Sequence, residues 1–292
     1  MPERQTSKSI IRITEDAVKK FLSGVATTQK GILRRINGTL RKLEITSDGT
    51  IKPNAANIKL LRTIRADLNK IVVDNAYKKR VNSYLGNFDK IKRETDLLYT
   101  GVSGFNANKN VYKEILRSTV DLTKNSLLEA GINQNVINPI TDILNQSITS
   151  GAQLAEMEET LRTVIIGDSS RLGNLERYTS QITRDALNQY SSNYNESISE
   201  NLNMEWYFYS GTIIEDTRDY CKERAGKYFH KKEVQDVPSQ WAGKIPGTNS
   251  STIFTYRGGY NCRHIYLPVL INVVPRNVIQ RNIANGNYKP VR

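Results

Sequence analysis

Apolar side chains recur at three- and four-residue steps from Thr14 onward, at Val18, Phe21, Leu22, Val25, Ile32, Leu33, Ile36, Leu40 and Leu43. That spacing places one apolar stripe on a helix, interrupted only at Thr28 and Gln29. Gly24, Gly31 and Gly38 recur along the same stretch, each at a cost in helix propensity, and predict a row where another helix approaches closely. The stripe gives way at Leu43 to Lys52, where Ser47-Asp48-Gly49 lies between two short apolar runs and predicts a small hairpin. Pro53 ends it. A second stripe runs through Ile58, Leu61, Ile64, Leu68, Ile71 and Val72, continuing through Tyr77, Val81, Tyr84, Leu85, Phe88 and Ile91. Its opposite face carries Lys78, Lys79, Arg80, Lys90, Lys92 and Arg93. Residues 1–100 therefore read as a helical arm or bundle, packed on one side and basic on the other.

Gly101 to Asn108 is the clearest boundary in the chain. Residues 101–203 are again helical, in shorter pieces punctuated by Gly131, Asn138-Pro139, Gly151 and Gly167 to Ser170. A helix opening near Ser150 bears Glu156, Glu158 and Glu159, which read as a solvated face placed early where the helix dipole favours negative charge. The last helix, Leu175 to Leu202, carries Tyr178, Tyr190 and Tyr194 beside Ile182, Ala186 and Ile198, an aromatic stripe suited to packing against the cysteine-containing region C-terminal to it.

From Trp206 the period changes. Trp206-Tyr207-Phe208-Tyr209 predicts a strand. Asp216 is placed to cap a short helix bearing Asp219 and Cys221, and Gly226 to stop it with a left-handed residue. Tyr228-Phe229 predicts a strand fragment. Gln235 to Ser251 reads as a long ordered loop anchored by Trp241. Ile253 to Tyr256 predicts another strand, Gly258-Gly259 a turn, and Cys262 to Leu267 a last strand with Cys262, His264 and Tyr266 on one face. The pattern as a whole is α+β: mostly helical N-terminal and middle regions, a small domain of short strands and loops over 204–268, and a basic tail over 269–292.

Charge sharpens this division. The 292 residues carry 42 basic and 29 acidic side chains, a net charge of +13. Residues 1–100 hold +11, 101–210 hold −5 and 211–292 hold +7. Segregated charge suggests surfaces with different partners. Nonspecific contact with DNA phosphates would use Lys78, Lys79, Arg80, Lys90, Lys92 and Arg93, with Arg276, Arg281, Lys289 and Arg292 at the other end. Solvated lysine-rich helix faces are the plainer reading of the first set. No apolar run approaches the ~20 residues of a membrane helix, and no apolar signal core follows Met1, so the expectation is a protein made in a cytoplasm without a membrane partner.

Chemically special residues crowd into one stretch. Both cysteines (Cys221, Cys262), both histidines (His230, His264) and one of two tryptophans fall between Ser210 and Leu267. Two cysteines exclude a disulfide scaffold. The sequence contains no glycine-rich phosphate loop with its Lys-Ser/Thr, no His-Glu-x-x-His, no Gly-x-Ser-x-Gly and no acidic cluster of the two-metal nuclease kind. A Cys-His nucleophile pair is formally present, Cys221 with His264 or Cys262 with His230. Cys221, His230, Cys262 and His264 also have the composition of a tetrahedral zinc site. Two buried neutral thiols beside hydrogen-bonded histidines account for the same four residues, and a reducing cytosol favours that account.

The order Asp216-x-Arg218-x-x-Cys221, then Gly226 and Phe229, a loop with Trp241, and finally Asn261-Cys262-Arg263-His264 resembles the phage Mu F-like head morphogenesis family, the minor head proteins of tailed bacteriophages. Upstream, Ile182 to Asn188 followed by Trp206 is similar to the helix and strand that precede the family's cysteine motif, so the resemblance covers roughly residues 140–268. Gly259-Tyr260 stand where many relatives have His-Pro, and His264 where a second cysteine is frequent. The resemblance implies a non-enzymatic virion component without a cofactor, near the portal vertex or in the head interior. Its partners would be portal and other head proteins, with several copies per particle and packaged DNA touched by nonspecific electrostatics. An enzyme or effector delivered with the DNA, nuclease or toxin-like, and a free nucleic-acid-binding protein are the other classes. Only Val269 to Arg292 follow the motif, too little for an added catalytic domain.

Overall fold

The computed structural model describes residues 2–290. The helices are α1 (Pro2–Leu22), α2 (Val25–Leu40), α3 (Ala55–Val72), α4 (Asn75–Tyr99), α5 (Asn110–Leu128), the single turn α6 (Ala130–Ile132), α7 (Asn138–Ser150), α8 (Leu154–Ile166), α9 (Asn174–Asn201), α10 (Asp219–Arg224), α11 (Lys231–Gln235), α12 (Ile253–Tyr256) and α13 (Arg276–Ala284). One π turn, Asn133–Ile137, joins α6 to α7. Three short strands complete the α+β fold: β1 (Trp206–Ser210), β2 (Lys227–His230) and β3 (Ile265–Val269). Among the described residues, no helix is long and apolar enough to cross a membrane.

The chain forms two compact units that are interleaved in sequence, not consecutive. One unit comprises Ala17–Leu85 and Leu122–Thr183 and is helical. Its core is the predicted stripe: Val18, Phe21, Val25, Ile32, Ile36 and Leu40 are buried, as are Leu61, Ile64, Leu68, Val72, Tyr77 and Val81. The stripe belongs to two helices, because the chain breaks at Ser23-Gly24. Gln29, a polar interruption of the stripe in sequence, is buried and donates its amide to the Ile165 carbonyl at 2.5 Å. The glycine row does not seat a helix. Cβ atoms at Gly31 and Gly38 would meet nothing within 4 Å, and only Gly24 is crowded, by the Arg80 side chain. The hairpin at 43–52 is a turn closed by a single bridge, Ile45 to Ile51, with Gly49 at φ +85°. Asn57 pins it, accepting from the Glu44 N–H and donating to the Glu44 and Lys52 carbonyls.

The other unit comprises residues up to Asp16, Gly86–Asp121 and Arg184 onward. Its sheet has the order β2-β1-β3, antiparallel throughout. Trp206 faces His230 and Val269 across the strands, and Tyr209 faces Lys227 and Tyr266. Both faces are covered, which is why β1 reads as an unbroken aromatic run instead of alternating with polar residues. Tyr207, Tyr209 and Tyr266 pack with Cys221, Cys262, Ile253 and Phe254 on one face. Trp206, Phe208, Tyr228 and Val269 pack on the other, against Val273, Val278, Ile279 and Tyr288. Residues 269–290 are therefore no tail: a 3-10 turn and α13 close that second face.

Two local expectations are overturned. Ile253 to Tyr256 is helical, because the Asn249 side chain accepts from the N–H groups of Ser251 and Thr252 and turns the chain into i to i−4 bonding. A four-residue apolar run has no period by which helix and strand differ. The last strand begins at Ile265, so Cys262 and His264 lie in the loop that enters it.

Candidate functional site

The middle of α9 supplies polar groups that hold this loop. Asp185 accepts the Asn261 N–H at 3.1 Å, and Asn188 donates to the Cys262 carbonyl at 3.1 Å. Asn261 takes φ +56°, a left-handed conformation that asparagine tolerates better than most residues. Its part in the fold is thus played by its backbone, while its side chain is exposed. Burial pushes the Asp185 carboxyl up, opposed by the Asn261 hydrogen bond and the nearby Arg257 guanidinium. Arg257 is itself buried at φ +50° and donates to the Ser192 hydroxyl at 3.0 Å.

Arg218 and Trp241 converge on the turn before Asn261. Arg218 donates to the carbonyls of Gly258 at 3.3 Å and Tyr260 at 2.7 Å. Trp241 donates its indole N–H to the same Gly258 carbonyl at 3.0 Å and stacks on Tyr220, centroids 4.4 Å apart. Arg263 pairs with Glu15 at 3.3 Å across a half-exposed contact. Gly226 holds φ +78° as expected and donates its N–H to the Tyr209 carbonyl, and Phe229 packs at the edge of the tyrosine face. Asp216 does not cap α10. It is exposed, the N-cap position belongs to Arg218 and makes no side-chain cap, and Asp219 stands in the first turn. The turn before the helix is closed instead by Thr217, whose hydroxyl accepts the Ile214 N–H at 2.7 Å.

Cys221, Cys262 and His264 come together, all three 2% exposed, with one ligating atom of each within 4.8 Å of the others. The two Sγ atoms are 3.8 Å apart, and His264 Nδ1 is 4.0 Å from Cys262 Sγ. The Cys221 hydrogen bond holds Cys262 well below the usual thiol range, with help from His264 and Arg257. Cys221 is pushed up by the same bond and by burial. Tyr209 lies between them, its hydroxyl 3.3 Å from Cys221 Sγ and 3.7 Å from Cys262 Sγ. Burial drives its phenol far above the ordinary range. Gly258 presses on this group from the loop, where a Cβ would lie 2.2 Å from Cys221 Sγ and 2.9 Å from Cys262 Sγ.

His230 does not join them. It ends β2, accepts the Lys232 N–H as the N-cap of α11, and stacks edge-on against Trp206 on the opposite face of the sheet. Burial lowers its imidazole pKa and keeps the ring neutral. A four-residue Cys2His2 site is therefore excluded by the alternation of the strand. Tyr209, Asp185, Asn188, Arg257 and Gly258 are the participants that residue scarcity could not single out.

The basic residues divide in the same way. Lys78, Lys79, Lys90, Arg93, Arg276 and Lys289 are exposed. Arg80 donates to the Gly24 carbonyl and the Thr28 hydroxyl, Lys92 pairs with Asp96 at 2.6 Å, and Arg281 pairs with Glu233 at 2.8 Å. Arg292 lies outside the described residues. Glu159 pairs with Arg162 on the surface of α8, in keeping with a solvated acidic face. No family profile, curated protein or solved structure matches this chain.

Proposed function

We propose that the protein is a non-enzymatic minor head protein of a tailed phage, acting near the portal and assisting head assembly and the packaging or delivery of DNA. One observation carries the reading: seven residues of the resemblance, Asp185, Asn188, Arg218, Cys221, Trp241, Cys262 and His264, converge on the loop before β3, while Asp216 and Arg263 stay at the surface. Asp185 and Asn188 hold its backbone, Arg218 and Trp241 hold Gly258, and Cys221, Cys262 and His264 close beneath it. A thiol and imidazole that are each 2% exposed favour a role in holding the domain together over attack on a substrate. In this reading the protein is made in the host cytoplasm, enters the particle in several copies, and contacts portal and head proteins, with DNA met through exposed cations.

The test is its place in purified particles. Mass spectrometry should find it at a fixed ratio to the portal protein, and labelled copies should give density at the portal vertex. Particles that lack the protein yet package normal DNA, or a purified protein that cleaves nucleic acid, would sink the reading.

A further inference from the structure

We infer that Cys221, Cys262 and His264 form a binding site for one thiophilic divalent cation of the zinc class, with the Tyr209 hydroxyl at the fourth corner. Zinc at about 2.3 Å from sulfur and about 2.0 Å from nitrogen or oxygen requires tetrahedral edges of about 3.8 Å between sulfurs and about 3.5 Å from sulfur to a lighter ligand. The measured edges are 3.8 Å between the sulfurs, 3.3 and 3.7 Å from the sulfurs to Tyr209 Oη, and 4.0 Å from Cys262 Sγ to His264 Nδ1.

The surroundings are built for such a site. The His264 ring is buried, its Nε2 has no hydrogen-bond partner among the described residues, and its Nδ1 has only the sulfur. The ring's Nδ1, which faces the Cys262 sulfur and has no oxygen or nitrogen partner among the described residues, is the atom placed to ligate. Gly258 keeps the sulfurs accessible to a central atom, because any side chain there would collide with both. The Cys221, Cys262 and His264 side chains are all buried, and the Tyr209 ring stacks on that of His264. With four corners supplied by the protein, the ion would have no open position, as in structural sites, and it would tie β1, α10 and the loop before β3 together.

The experiment uses the full chain, purified without chelator from cells supplied with zinc. Bound zinc is counted after release by a mercurial reagent, and the thiols are counted in denaturant without reductant. The expected result is about one zinc per chain, falling below about a tenth in Cys221→Ser, Cys262→Ser and His264→Asn. His230→Asn should keep the metal, and Tyr209→Phe should bind it at least about 10-fold more weakly. Because the cysteine variants could fail to fold, the wild-type chain loaded with cobalt provides an independent reading: a thiolate-to-cobalt charge-transfer band with intense tetrahedral ligand-field bands. Wild-type protein holding less than about a tenth of a zinc, two cysteines found joined as a disulfide, or equal loss in His230→Asn would each overturn the site.

Discussion

Trp241 donates its indole N–H to the carbonyl of Gly258, and with the Tyr260 N–H on the Gly243 carbonyl it fastens a seventeen-residue loop to the turn over the two cysteines. The loop has no secondary structure of its own between Asp236 and Thr252, so these two bonds carry much of its order. Trp241→Phe keeps an aromatic surface on Tyr220 and removes only the donor. It should cost about 1 kcal/mol and lower Tm by about 2–4 °C. Trp241→Ala loses both and should cost about 3 kcal/mol, with the loop becoming the first site of proteolytic cleavage. Limited proteolysis of the two variants, read by mass spectrometry, checks the ordering.

Arg218 and Arg263 both belong to the motif, yet they are not equals. Arg218 bridges two backbone carbonyls that no other side chain joins, whereas the Arg263 pair with Glu15 is half-exposed and screened by water. Arg218→Ala should destabilise by about 1–3 kcal/mol, and Arg218→Lys should not rescue it, since a point charge cannot span both oxygens. Arg263→Ala should cost less than about 1 kcal/mol. Chemical denaturation of the three variants decides it, and equal losses would show that the carbonyl fork has no special weight.

Much of this could be read from the chain, and the parts that could not have definite causes. The helical stripes of α2, α3 and α4 were legible because buried positions repeat every three to four residues. The aromatic strand β1 was legible from β-propensity alone. The end of the chain was not, since α13 packs only two half-buried apolar residues, Val278 and Ile279, within nine residues and reads as polar in isolation. Scarcity found Cys221, Cys262 and His264, and failed at His230 because scarcity carries no information about which face of a strand a side chain takes. Tyr209 was hidden for the opposite reason: fifteen tyrosines give none of them distinction.

Glu196, on α9, sets a pH dependence of stability. Burial, reinforced by Glu200 and opposed by Lys231, pushes its carboxyl up from 4.5 to about 7. Between those values the folded chain keeps a proton that the unfolded chain has released, so unfolding sheds a proton and stability falls as pH rises. The contribution is fully present below 4.5 and gone above about 7. Glu196→Gln should flatten this slope and raise stability at pH 8 by about 1–2 kcal/mol, a figure reduced because the side chain is partly open to water. Thermal melts of both proteins at pH 5 and pH 8 test it. A slope that survives in the variant would assign the ionisation to another group.

The exposed cations allow a direct trial of the DNA contact. Lys78, Lys79, Lys90 and Arg93 project from α4 with no acidic partner among the described residues, while Arg80 and Lys92 are already engaged within the protein. Phosphate contacts release counterions, so binding to duplex DNA should weaken with salt by about 0.9 of a power per contact. Reversing the four exposed charges should lower that slope by up to about four units, without a change in melting temperature. Arg80→Ala behaves differently: it frees the Gly24 carbonyl and the Thr28 hydroxyl, so it should lower stability and leave the slope nearly unchanged. A protein partner with an acidic surface would also respond to salt, but it would saturate at a definite stoichiometry. Absence of DNA binding at about 50 mM salt, where such contacts are strongest, would assign these cations to protein assembly.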